Sequence, residues 1–516
     1  MNSAPADSAP APLSGGALAL TAFALALGTF MQVLDSTIAN VSLPTIAGNL
    51  GESTDSGTWV ITSFAVANGV AVPLTGWLMG RFGVVRTFCM SVLLFTFASF
   101  LCGIAWNLSS LIMFRILQGA VSGPMIPGSQ ALLISIFPPS KRSTALGVWS
   151  ITTLVAPIGG PILGGIISDN YHWSWIFLIN VPVGLFCAIV CWRALAKRET
   201  PTRKLPIDTI GVAMLIVWVG ALQVMLDLGK NADWFSSPLI VAAAVVAGVG
   251  FLAWLVWELT DAHPAVDLRL FRNRNFAFGT IAFCLGYAVF FANVLLMPLW
   301  LQTQMGYTAT WAGLVAAPSG VVAVLLTPIM ARFSGKIDAR YLASLSFVAF
   351  AVSYFMRADY TTSASFWDLT LPLLVNGVAM SCFFLSMLTI QLDGIPPERV
   401  PSATGISNFA RITCGSFAAS IITTAWDRRE AVHQSRLADN FTLFSPIYRQ
   451  TTDILNAVGL GDVQAAAAIT RQMVQQAYLL AANDLSAFSA WISLAMIILI
   501  WITRRPKAMT GPIAAD

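Results

Sequence analysis

The sequence predicts an all-α integral membrane protein of fourteen transmembrane helices, arranged as two pseudo-symmetric six-helix bundles with two further helices inserted between them. Three observations carry this expectation: apolar runs of spanning length, a one-sided distribution of basic residues, and an internal repeat. Of 516 residues, 57% are apolar and 10% charged, with mean hydropathy +0.75; soluble domains have about 25% charged residues. A bilayer core of about 30 Å demands roughly 20 apolar residues per helix, whereas a transmembrane barrel would show short alternating segments.

Residues 1–16 are rich in Pro, Ala and Ser and lack the basic start of a secretory signal, so they read as a disordered cytoplasmic tail. Spans follow near 17–44, 58–80, 87–106, 109–134, 143–168 and 173–195, which make the N-terminal bundle within 17–204. Spans near 207–227 and 237–258 form the insertion, 205–268. The C-terminal bundle, 269–516, has spans near 276–303, 310–331, 340–356, 368–391, 402–426 and 486–503, with a long periplasmic loop at 427–485. That loop is too polar to span, and "DVQAAAAITRQMVQQAYLLAANDL" within it reads as helix-rich.

With a cytoplasmic N-terminus, nineteen of the 28 Lys and Arg fall in cytoplasmic connections and the C-terminal tail, as the positive-inside rule requires. Two lie in short outer loops, five in 427–485, and two, Arg115 and Arg411, inside spans. The formal net charge of +4 is thus a topology signal with no nucleic-acid partner implied. The seven cysteines fall in apolar segments and suggest no disulfide framework, and the three histidines lie in polar connections, giving no metal cluster. No phosphate-loop motif for nucleotide hydrolysis is present, and no His, Asp or Ser cluster suggests an enzyme.

Self-comparison aligns Thr58-Trp59 with Thr310-Trp311 and Gly83 with Gly335 at an offset of 252, and "FPPSKRSTALG" with "IPPERVPSATG" at an offset of 258. Spans 1–6 therefore correspond to 9–14, leaving the pair at 207–258 unmatched. Parallel repeats of this kind place a substrate path at their interface.

Several motifs resemble the major facilitator superfamily, and within it the fourteen-span drug:proton antiporters of the EmrB type. "LDSTIANVSLP" resembles that group's first span, Leu111, Arg115, Gln118 and Gly119 match "LxxxRxxQG", and "GVWSITTLVAPIGGPILGG" resembles the antiporter motif of span 5, with Gly147, Ala156, Gly160, Pro161, Gly164 and Gly165. "SDNYHWSWIFLINVP" and "SNFARITCGS" look closer still to the EmrB group. "GWLMGRFGVVR" resembles the superfamily's cytoplasmic loop, with Gly76, Arg81, Gly83 and Arg86 in place but Gly80 where an Asp is usual. The resemblance implies proton-driven efflux of hydrophobic drugs by alternating access, with no cofactor beyond the proton gradient. It further implies a bacterial inner-membrane subunit with cytoplasmic termini, a periplasmic membrane-fusion adaptor (EmrA-like) and an outer-membrane channel (TolC-like). A dedicated metabolite or fatty-acid exporter with the same mechanism is the alternative.

Charges inside spans cost about 2.5–3.5 kcal/mol each on insertion scales and read as functional by default. Asp35 is the one clearly intramembrane acid; Asp227 and Glu258 lie at span ends, where an interfacial placement is expected. A carboxylate held between burial, which favours its neutral form, and a nearby cation, which favours its ionised form, can load and release a proton. Asp35 is therefore the proton-site candidate and Arg115 its candidate partner, with a static structural ion pair or a water-exposed acid at the outer end as the alternatives, and Arg411 is a second intramembrane charge. In span 5, Thr152, Ala156, Gly160, Gly164 and Ser168 recur every four residues and make a small-residue face, either a packing seam or, as the resemblance implies, a seal against leak. Candidate cavity-lining residues are Gln32, Asn40, Gln118, Trp149, Phe290, Phe291, Met297, Phe384 and Asn408. A cavity with few charges suits hydrophobic compounds, because unpaired polar groups in a dry site are unfavourable.

Overall fold

A computed structural model describes residues 13–52, 57–138, 141–202, 206, 208–261, 264–334, 337–440 and 445–506. Most of the tail expected over 1–16 lies outside the described residues. Helix α1 runs Gly15–Asn49, α2 Trp59–Ala71, α3 Thr75–Phe82, α4 Val84–Gly103, α5 Leu108–Ser122, α6 Met125–Ile136, α7 Arg142–Asn170, α8 Trp175–Leu178 and α9 Asn180–Leu195. The inserted pair is α10 Thr209–Leu228 and α11 Pro238–Thr260. The second half has α12 Arg274–Thr303, α13 Ala309–Ser334, α14 Ala339–Arg357, α15 Phe366–Gln391, α16 Val400–Asn440, α17 Pro446–Ala457 and α18 Asp462–Ile502.

Every expected span falls on helix. Among the described residues ten helices are long and apolar enough to cross a membrane, and the α2–α3 pair, bent by 57°, makes an eleventh. The other three have visible reasons for falling short. Span 4 is divided at Gly123-Pro124, where proline removes a helical donor. Span 5 (α7) interleaves its apolar residues with Gly, Ser and Thr, and span 13 belongs to a helix whose second half is polar.

The breaks in spans 2 and 4 abut. A Cβ on Gly123 would lie 2.5 Å from the Ala71 carbonyl carbon, and one on Gly119 would lie 2.5 Å from the Phe64 carbonyl oxygen. Asn68 Nδ2 donates to Ser122 Oγ at 2.6 Å across the same seam. These glycines bring α5 onto α2 and so fix where Arg115, one turn earlier, enters the bundle.

Within the first bundle α1 packs on α7, α9 and α6, and α4 on α5 and α9; within the second, α14 packs on α15 and α18, and α12 on α16, α18 and α15. The bundles meet where α7 lies along α13 and where α16 contacts α3 and α6. The contacts are close at the end that carries Arg81, Arg86 and Lys141: a Cβ on Gly76 would fall 2.9 Å from Ser402 Cα, and one on Gly147 3.3 Å from Ala331 Cβ.

The inserted helices lie across the joint between the bundles. Helix α10 packs on α2 and on α16, with Val219 Cγ1 3.1 Å from where a Gly69 Cβ would be and Trp218 edge-on to Phe409 at 5.9 Å. Ser420 donates to the Leu226 carbonyl at 2.6 Å, Trp234 Nε1 to Thr424 Oγ1 at 3.1 Å, and Lys230 pairs with Asp427 at 2.9 Å. Glu258 is buried, its Oε2 accepting from Val266 N at 3.1 Å. Asp227 is half-buried and accepts from Gln223 Nε2 at 2.9 Å. Both acids lie near the ends of their helices, each with one oxygen paired within the protein.

Helices α16 and α18 are 41 residues each, about 60 Å long at 1.5 Å per residue. Spans 13 and 14 thus continue as unbroken helix into the segment expected as a loop, with α17 between them.

Candidate functional site

Asp35, on α1, is fully buried, and the structure joins it to Arg115, on α5, at 2.6 Å from Oδ2 to Nη1. Its other oxygen, Oδ1, accepts from Gln118 Nε2 at 3.0 Å and from Asn180 Nδ2, at the start of α9, at 2.8 Å. Gln118 closes the ring by accepting from Arg115 Nη1 at 2.8 Å. Arg115 Nε donates to the Val60 carbonyl at 3.1 Å, and its guanidinium lies 4.2 Å from the Phe64 ring centroid. Asn180 also donates to Ser99 Oγ at 3.0 Å, which in turn donates to the Phe177 carbonyl at 2.9 Å. Spans 1, 2, 3, 4 and 6 all contribute to one network enclosed in the N-terminal bundle. A buried pair of this kind is stable only when its remaining lone pairs and protons are satisfied, and the amides do that here.

Gln118 therefore sits inside this network and is fully buried. Asn180 and Ser99 were not singled out in the sequence. A neutral amide in an apolar span carries no charge to flag it; the available signal was its place in "SWIFLINVP", one of the motifs quoted above.

The small-residue face of span 5 packs on α1 around Asp35. A Cβ on Gly160 would lie 2.0 Å from Thr37 Oγ1, and one on Gly164 3.0 Å from Ile38 Cγ1. Thr37 Oγ1 also reaches the Ala156 carbonyl at 3.5 Å. Gly165 is buried, while Gly147, at the other end, faces α13. The side chains of Pro161 and Asn40 lie outside the described residues.

In the loop motif, a Cβ on Gly80 would meet nothing within 4 Å, so the position where an Asp is usual is open. Glu199 supplies a carboxylate from elsewhere. Its Oε1 accepts from Val85 N at 3.0 Å and its Oε2 from Arg86 N at 2.8 Å, while Thr200 Oγ1 accepts from Val84 N at 3.1 Å. Together they cap the N-terminus of α4, where unpaired N–H groups and the helix dipole favour an anion. Gly83, at φ +92°, leaves the space Glu199 occupies. Arg81 lies over Trp77 at 5.6 Å.

A second polar group lies between the bundles. Asn408 Nδ2, on α16, donates to Gln130 Oε1, on α6, at 3.2 Å, and Asn408 Oδ1 accepts from Arg411 Nη2 at 3.1 Å. The Arg411 guanidinium stands 4.6 Å from the Tyr287 ring. Tyr287 stacks on Phe291 and meets Phe290 and Phe384, and Phe384 meets Trp149 across the bundle interface. Of the expected lining residues, Trp149, Phe290, Phe291, Phe384 and Asn408 thus come together here. Gln32 is buried on α1 with Oε1 unpartnered. Met297 lies apart, beside Trp300 in the core around α18.

A membrane-spanning chain of two six-helix bundles, with a charge network in one and an aromatic-polar group between them, defines a secondary transporter. The chain belongs to the Major Facilitator Superfamily, whose family model matches residues 25–419. It is 49% identical over 496 residues to "Multidrug export protein EmrB" of Haemophilus influenzae, covering 96% of this chain and 97% of that one. It is 47% identical over 501 residues to the Escherichia coli K12 protein of the same name, covering 97% and 98%. "Fatty acid resistance protein FarB" of Neisseria gonorrhoeae is 45% identical over 495 residues, covering 96% and 98%. Among solved structures, the fold matches a bacterial homologue of the lysosomal transporter Spinster (TM-score 0.54, 13% identity, covering 96% of this chain and 100% of that one). It also matches the human organic anion transporter MFSD10 (TM-score 0.55, 13% identity, covering 94% and 99%).

Proposed function

We propose that this chain is a multidrug efflux transporter that exports hydrophobic compounds in exchange for protons entering through Asp35. The observation that carries the proton step is the enclosure of Asp35 among one cation and two neutral amides, with no access to solvent. Protonation of Asp35 cancels its attraction to Arg115 and leaves the guanidinium held by Gln118 and the Val60 carbonyl. The pair then separates at far smaller electrostatic penalty, and helix α1 is released from α5. Deprotonation restores the pair. Alternating access follows if the two states of this network favour different relative positions of the bundles.

The basic end of the molecule is placed in the cytoplasm, with both termini, by the positive-inside rule, and the membrane is the inner membrane of a bacterial envelope. The working domains are 17–204, 205–268 and 269–516. The helical projection formed by the outer parts of α16 and α18 with α17 is assigned to contact with a periplasmic adaptor leading to an outer-membrane channel. Identity to a fatty acid resistance protein supports a second reading, a dedicated exporter of such acids.

The deciding measurement is transport in proteoliposomes and everted vesicles, with and without a protonophore, across a panel of hydrophobic compounds. Asp35→Asn is expected to abolish proton-coupled efflux while membrane expression and monodispersity are retained. Continued drug-driven proton movement in that variant would overturn Asp35 as the proton site.

A further inference from the structure

Among the described residues Arg411 is a buried charge with no counter-charge. It is 3% exposed, and among the described residues no carboxylate lies within salt-bridge distance of it. Its neighbours are neutral: the Asn408 amide, the hydroxyl and ring of Tyr287, and the ring of Phe283 at 5.9 Å. Arginine does not deprotonate in proteins, so the charge is permanent, and an uncompensated guanidinium at this depth is strongly unfavourable unless something else completes it. Arg115 shows what completion looks like, with a carboxylate at 2.6 Å.

Three of the polar atoms left unpartnered near the bundle interface share one character. Arg411 Nε, Gln130 Nε2 and Trp149 Nε1 are all buried donors with no acceptor, against one unpartnered acceptor, Gln32 Oε1. They are tied into one group: Arg411 to Asn408 to Gln130 by hydrogen bonds, and Arg411 to Tyr287 to Phe384 to Trp149 by ring contacts. A fixed positive charge, surplus donors and aromatic walls suit a ligand with an apolar body and an oxyanion head.

Resting on the efflux reading above, we propose that Arg411 is the specificity-determining residue for amphipathic anions: it receives the carboxylate or comparable oxyanion of the exported compound, while Tyr287, Phe290, Phe384 and Trp149 receive its apolar part. The guanidinium presents Nε to the oxyanion beside the Nη2 that Asn408 already holds. Asn408 links that same guanidinium to Gln130 in the other bundle, so occupation of Arg411 bears directly on a contact between the two halves.

The test compares 1-pyrenebutyric acid with its carboxamide, which has the same apolar body and no charge. Binding is read by fluorescence on the purified full chain in nanodiscs, and efflux by loaded proteoliposomes. The wild type is expected to bind the acid at least tenfold more tightly than the amide. Arg411→Gln should weaken acid binding by about tenfold to a hundredfold, the usual worth of a charge-assisted hydrogen bond, and leave the amide within twofold. Arg411→Lys should retain part of the preference. Equal losses for acid and amide in Arg411→Gln, or no acid preference in the wild type, would overturn the proposal. The wild-type ratio decides even if the Gln variant fails to fold. Acid-selective binding without proton-driven efflux of either compound would instead count against the efflux reading alone.

Discussion

Asn180 shows how a residue without charge can govern one that has it. Its Nδ2 is divided between Asp35 Oδ1 and Ser99 Oγ, so it holds the carboxylate in place from the side opposite Arg115. Hydrogen bonds to ionised groups contribute about 1.5–3 kcal/mol. Asn180→Ala should therefore reduce substrate-driven proton release in proteoliposomes by tenfold or more, while binding of a neutral compound such as 1-pyrenebutyramide stays unchanged. Unaltered proton release would mean that Asn180 only packs. The charged partners Asp35 and Arg115 were legible in the sequence because each interrupts an apolar run, and the insertion penalty makes such interruptions conspicuous. The amides that complete their network were not, because Gln and Asn in a span are common enough as packing or capping groups that spacing alone does not tell which of them meets a carboxylate.

At the scale of elements, the four-residue recurrence of small side chains in span 5 predicted a close helix approach, and α7 makes one. The partner was not legible. Periodicity names a face but not what covers it, and here the central part of the face lies on α1 beside Asp35 while Gly147 touches the other bundle. Gly160→Val would drive a branched side chain into Thr37, where even a Cβ stands 2.0 Å from Oγ1. Overpacking of this kind costs typically 1–3 kcal/mol, and the strain falls on the two turns of α1 that carry Asp35. The variant should lower the thermal midpoint by a few degrees and uncouple transport, seen as proton leak without substrate. A tight, fully coupled Gly160→Val protein would show that the seam has no part in positioning the acid. The lengths of α16 and α18 were also missed, since hydropathy falls beyond residues 426 and before 486 while helix formation continues through "RREAVHQSRLADN" and "DVQAAAAITRQMVQQAY". The helix-rich character of "DVQAAAAITRQMVQQAYLLAANDL" was legible; its unbroken junction with the span was not, because burial in lipid and helix propensity are separate properties.

For the whole molecule, the inserted helices decide which surfaces can slide. Toward α16, α10 and its following turn make, besides the Trp218–Phe409 ring contact, three polar and directional contacts: Ser420 to Leu226, Thr424 to Trp234, Asp427 to Lys230. Toward α2 the contacts are mainly apolar, Val219 against Gly69 and Val66 against Gly220, with one polar link from Asp227 to Thr62. Three directional contacts on the α16 side against one on the α2 side hold register more firmly there, so the inserted pair should travel with the C-terminal bundle. Cysteines at 230 and 427, crosslinked in a background lacking the native cysteines, are expected to leave transport within twofold of wild type. Cysteines at 69 and 219, crosslinked likewise, are expected to stop it. The reverse pattern would assign the inserted pair to the N-terminal bundle. The architecture of two halves and an insertion was visible in the repeat and its unmatched pair of spans; which half the insertion follows depends on side-chain chemistry at contacts that no offset reveals.

Helix α16 carries Arg411 in its first third and Asp427, Arg429 and His433 beyond the expected membrane boundary, where Arg429 and His433 both bind Asp484 of α18. Being unbroken, it behaves as a rod: a tilt of roughly 5° about its inner end moves its outer end by about 5 Å over a length of about 60 Å. On the assignments proposed above, the Arg411 site and the helical projection are two positions on one lever, so a protein gripping the projection would feel whether Arg411 is occupied, and by the same rigidity could press back on its affinity.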